Sequence, residues 1–166
     1  MLFIMNDNDK NKISRALVLA PFVFILHFLE EAPGFVKWFN AHVNPGITSE
    51  SFWAVNLAGL IITSVVVGIG TMAPSSPSYL LTAAWLSLLM PANALIHIAG
   101  SVIEKDYVPG VITAIALYLP YYFWLMTKIK KSGWVSSNSL IVAAVIGAAP
   151  MLVHGYRILF LGSRLF

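Results

Sequence analysis

Residues 27–31 read His-Phe-Leu-Glu-Glu, an imidazole and two carboxylates within five positions. On a helix, residues three or four apart share a face, so His27 stands over both Glu30 and Glu31. Two more pairs obey the same spacing, Asn93 with His97 and His154 with Arg157. Imidazole and carboxylate are ligands for Zn²⁺, Fe²⁺ or Mn²⁺, and helical bundles build such centres from His and Glu three residues apart, with partners on facing helices. The spacing therefore predicts a metal set drawn from His27, Glu30, Glu31, His97 and His154. Asn93 would orient a ligand or, with Arg157, bind substrate. The order H-x-x-E-E is not the H-E-x-x-H of zinc proteases, where two histidines four apart bind the metal and the glutamate is the base. Protease chemistry is not supported.

The same residues suit two other chemistries. Without a metal, Glu30 or Glu31 can act as proton donor with His27, His97 or His154 as base, a combination able to isomerise, cyclise or hydrolyse a lipid or isoprenoid. Carboxylates and histidines inside a bundle also serve as cation sites or proton relays. Transport ranks below an enzyme, because five spans without clear inverted repeats are poor material for alternating access.

The elements that must position these groups are membrane helices. The 166-residue chain is 58% hydrophobic and only 10% charged, with a mean hydropathy of +0.81, whereas soluble domains carry roughly 25% charged residues. A net charge of +3 does not point to nucleic acid, because the basic residues are scattered between apolar runs with no interleaved aromatic surface. The absence of cysteine excludes disulfides, thiolate metal sites and cysteine nucleophiles.

About 20 apolar residues cross a bilayer as helix. Five stretches qualify, at about 13–31, 52–72, 79–102, 108–129 and 139–161. The expected fold is a single all-α domain over residues 1–166, a bundle of about five transmembrane helices behind a polar tail at 1–12. The aromatic, amphipathic run "GFVKWFNAHV" after the first span is expected to lie as a short helix on the membrane surface. The first span lacks a small-residue cleavage site and reads as retained. Lys10, Lys12, Arg15, Lys128, Lys130 and Lys131 gather on one side, against Lys37, Lys105, Arg157 and Arg164 on the other, which puts the N-terminus in the cytoplasm of a cell-membrane protein.

Depth brings the polar groups together. At about 1.5 Å per residue, His27, Asn93 and His154 each lie roughly 21 to 22 Å from the cytoplasmic start of their spans, with their pair-mates about 5 Å beyond. Asn56 joins the same layer from the second span, where a structural role is the safer reading. Polar groups at such depth face the bundle interior and mark function. Pro21, Pro91 and Pro150 precede His27, His97 and His154 by six, six and four residues, and each frees a backbone carbonyl one turn earlier. Glu104, Lys105 and Asp106 read as a solvated turn and His42 as exposed.

"HFLEE" matches the signature of the HXXEE domain family of small membrane proteins, and "NALIH", Pro109–Gly110 and His154 are similar to further positions of that family. The resemblance runs from the first span to the last. It implies a small multi-pass membrane protein whose activity is not established and whose polar residues suggest an enzyme. Together these readings give a His/Glu/Asn site in the outer half of a helical bundle. It would be metal-dependent, with Zn or Fe as candidates, and would act on a lipid-like or hydrophobic small molecule among membrane lipids.

Overall fold

A computed structural model describes residues 7–43 and 45–161. Among these the chain is helical, without strands. α1 (Asp7–Leu17) and α2 (Ala20–Glu31) run on from each other through a tightened turn, in which the Leu19 N–H reaches back to Ala16 O at 3.2 Å. Pro21 sits in the first turn of α2, where its missing N–H costs nothing. Part of the expected polar tail is thus helix from Asp7 onward; residues 1–6, and Arg164 of the charge count, lie outside the described residues.

α3 (Phe35–His42) is the expected short amphipathic helix, and none of its residues is buried. α4 (Ser49–Met72) starts at a capping box in which Thr48 and Ser51 satisfy each other's backbone N–H. α5 (Ser76–Ser87) starts the same way, at Ser75 and Ser78. A π-helical turn at Leu88–Ala92 holds Pro91 and leads into α6 (Asn93–Glu104). Proline cannot donate to the α-helical ladder, and the wider turn accommodates it without ending the helix. α7 (Val111–Thr113) passes through a second π turn, Ala114–Tyr118, into α8 (Leu119–Lys131). α9 (Ser137–Leu161) closes the chain.

Among the described residues, four helical stretches are long and apolar enough to cross a membrane: Lys10–Glu31, Ser49–Met72, Ser76–Glu104 and Ser137–Leu161. The expected span at 108–129 is continuous helix over 111–131 but is not one of the four. Tyr118, Pro120, Tyr121, Tyr122 and Lys128 dilute its apolar character. It is also an inner element, with Tyr118, Tyr121, Tyr122, Leu125 and Ile129 buried. The core joins α1, α2, α5 and α8 through Leu17, Phe24, Tyr79, Leu86 and Leu125. Polar ties cross it, from Tyr121 Oη to Ala16 O at 2.9 Å and between Ser87 and Tyr122 at 2.5 Å. α4 and α9 are peripheral, with only 22% and 11% of their apolar windows buried.

Candidate functional site

α2 and α6 both pack against the 111–118 segment, and the polar residues meet there. His27, Glu31 and His97 are buried, at 1%, 6% and 3% exposure. Glu31 Oε1 lies 3.1 Å from His97 Nε2 and 3.5 Å from His27 Nε2. Each residue presents one ligand atom, and all three atoms fall within 4.8 Å of one another. The two imidazoles meet edge to face at 5.1 Å, and Tyr118 lies against His27 with centroids 4.1 Å apart.

Adjacent helical residues diverge by about 100°, and the two glutamates accordingly face different partners. Glu31 turns inward. Glu30, expected as a ligand or proton donor, accepts four hydrogen bonds elsewhere: from Tyr107 Oη at 2.7 Å, Ile112 N at 3.2 Å, Thr113 N at 2.7 Å and Thr113 Oγ1 at 2.5 Å. Ile112 and Thr113 stand at the start of the 111–131 helix, whose first N–H groups have no intrahelical acceptor. Glu30 caps that helix from outside, where a negative charge also meets the positive end of the helix dipole. Tyr107 lies in the preceding turn, and its phenol is pushed up to about 12, by partial burial first and then by the Glu30 carboxylate it donates to. It therefore keeps its donor proton across the neutral range.

Proton counting fixes the tautomer of His27. Thr113 has one hydroxyl proton and gives it to Glu30, so at 2.8 Å from His27 Nδ1 it can only accept. Nδ1 carries the proton, and Nε2 is the ring nitrogen that faces Glu31. A ring nitrogen held by a hydrogen-bond acceptor while its counterpart points at a cluster is the arrangement that orients metal-binding histidines.

Gly110 closes the other side. Its φ of +99° is left-handed, and a Cβ there would come within 2.8 Å of His97 Cε1, 2.9 Å of Glu31 Cγ and 3.0 Å of His27 Cε1. Only glycine allows the backbone to approach this closely.

The cluster opens onto a cavity of about 740 Å³. Phe35, Trp38 and Phe39 of α3 line it along with residues of α2, α4, α6 and α9. Asn93 and His154 are on its wall, and Arg157 is not among the lining residues. His154, expected as a fourth ligand, does not join the three-residue group, because α9 packs on α5, α6 and the 88–92 turn while the cluster sits at the 111–118 segment. Asn56 also lines the cavity, but its amide donates to Phe52 O at 3.0 Å. His42 bonds Trp38 O and is exposed, and residues 104–106 form an exposed turn, as expected.

Five buried polar atoms on the cavity wall have no hydrogen-bond partner: His27 Nε2, Trp38 Nε1, Asn93 Oδ1, His97 Nδ1 and Tyr118 Oη. Such atoms are costly unless something pairs with them. Thr113, Tyr118 and Tyr107 were not expected at the site. Their segment carries no histidine and no charged residue, and its one signal was the Pro109–Gly110 turn.

Residues 18–125, well over half of the chain, match a family described as "Protein of unknown function with HXXEE motif". No curated protein and no solved structure matches the chain.

Proposed function

Since the chain belongs to the HXXEE family, whose description leaves its function open, we propose from the geometry that it is a membrane enzyme with a divalent-metal centre held by His27, Glu31 and His97. The observation that carries this is the convergence of His27 Nε2 and His97 Nε2 on one Glu31 oxygen, at 3.5 and 3.1 Å, in a buried group whose ligand atoms all lie within 4.8 Å of one another. A cation between them could be held by all three. In a tetrahedral site, metal–ligand distances of about 2.0–2.2 Å put paired ligand atoms about 3.4 Å apart. The observed spread of up to 4.8 Å thus needs the ligand groups to close in by about 1 Å.

Two histidines and one carboxylate leave coordination positions open, the mark of catalytic zinc and of non-haem iron oxygenase sites, where structural zinc sites are closed. Zn²⁺ and Fe²⁺ are the candidates. Such an ion supplies Lewis-acid activation of water or of a substrate oxygen. The chain's own residues do the rest: Thr113 and Glu30 hold the His27 ring, Gly110 admits the backbone against the cluster, and the apolar cavity takes a hydrophobic substrate from the membrane, with Asn93 on its wall. The protein would sit in the cell membrane with its N-terminus in the cytoplasm, where Lys10, Lys12 and Arg15 fall on the side of Lys128, Lys130 and Lys131.

Elemental analysis of detergent-purified protein tests the centre. Wild type should carry about one zinc or iron per chain, while His97→Ala and Glu31→Gln should carry a tenth or less at comparable thermal stability, as expected when a coordinating ligand is lost. A wild type free of metal after purification without chelator, and unable to take up either ion, would overturn the metal centre. The 3.1 Å Glu31–His97 pair would then favour metal-free acid–base chemistry.

A further inference from the structure

The cavity itself says what kind of molecule reaches the cluster. Among the described residues, no lysine, arginine or aspartate lines it. Glu31, its one carboxylate deep at the cluster, is engaged by two imidazoles. An ionised headgroup taken from water into such a wall would lose its hydration and find no opposite charge. A pure hydrocarbon fits no better, because it leaves the Trp38 indole N–H and Asn93 Oδ1 unpaired. A hydroxyl both donates and accepts, so it can satisfy either one.

The way in is lateral. α4 packs on α1, α2 and α5, and α9 on α5, α6 and the 88–92 turn, while contact between α4 and α9 is marginal. Both helices nonetheless line the cavity, α4 through Ala58, Gly59 and Ile62 and α9 through Met151, Gly155 and Ile158. They are also the two least buried of the apolar helices. Their gap therefore faces the acyl chains of the bilayer. The volume of about 740 Å³ lies within the ~300–1,000 Å³ range of small-molecule sites.

We infer that the cavity takes an uncharged long-chain alcohol, which enters from the bilayer between α4 and α9 and brings its oxygen to the His27–Glu31–His97 cluster. This rests on the reading of the cluster as a reactive centre, but its test does not depend on turnover.

The protein in phosphatidylcholine nanodiscs is irradiated with a diazirine-bearing hexadecanol, and labelled peptides are found by mass spectrometry. Label should fall on α4 and α9 around Ala58 and Gly155. A roughly tenfold excess of hexadecanol should suppress it about tenfold, as competition for one site requires, whereas palmitate and lysophosphatidylcholine should leave it nearly unchanged. Ala58 is an exposed helix residue on the cavity wall, so Ala58→Trp should fill the gap, abolish labelling and keep the metal. Competition by palmitate equal to that by hexadecanol would overturn the inference, as would undiminished labelling of Ala58→Trp. Metal content on the same samples separates the two readings. Labelling absent from a metal-loaded wild type overturns this inference alone, and specific labelling of a metal-free wild type supports it while overturning the metal centre alone.

Discussion

The two glutamates of the motif do different work because one residue step turns a helix by about 100°. Glu31, four residues from His27, falls on its face and meets His97; Glu30 falls beside it and caps the next helix. Thr113 links them, accepting from His27 and donating to Glu30. Replacing Thr113 by valine keeps the shape but removes the acceptor, so metal affinity should fall about 10- to 100-fold, as for other residues that orient a ligand, and Thr113→Ser should restore it. Isothermal titration of the apo protein with zinc measures this, and an unchanged Thr113→Val affinity would remove Thr113 from the centre. His27, Glu31 and His97 were legible in the sequence because depth and helical spacing act along one chain direction. Thr113 was not, since a lone threonine in an apolar run is unremarkable until another helix docks against it.

At the scale of elements, prolines and π turns aim the site. His27 and His97 each follow a proline by six residues, Pro21 at the restart of α2 and Pro91 inside the first π turn. The repeated "Pro, five residues, His" was visible in the sequence, but the π geometry that absorbs Pro91 depends on packing and was not. The helix at 111–131, expected as a span, is the inner one, and its buried tyrosines lower its hydropathy below that of the four long apolar stretches. α9 is fixed to α5 by a close approach at Gly147, where a Cβ would stand 1.9 Å from Ala84 O. Gly147→Leu must push α9 off its seat, which should cost about 1–3 kcal/mol, typical of overpacking. α9 supplies none of the three cluster residues, so metal content should survive while alcohol labelling is lost. Thermal unfolding followed by fluorescence reads the first effect, and a wild-type midpoint would refute the close contact.

For the whole molecule, the absence of cysteine makes orientation directly measurable. Single Lys12→Cys and Lys130→Cys variants in intact cells should resist a membrane-impermeant maleimide, whereas Lys37→Cys and Lys105→Cys should react. Labelling of Lys12→Cys and protection of Lys37→Cys would invert the topology. The cluster's two sides also differ in how freely they can change. At Gly110 the wall is peptide backbone at +99°, and even a methyl group would strike His27, Glu31 and His97 together. The part of the cavity wall on the peripheral helices α4 and α9 is mostly apolar and supplies none of the three cluster residues. On the proposed function, substrate preference could therefore drift, or be engineered, from the α4 and α9 side alone, while the cluster on the Gly110 side stays fixed by the smallest residue in the protein.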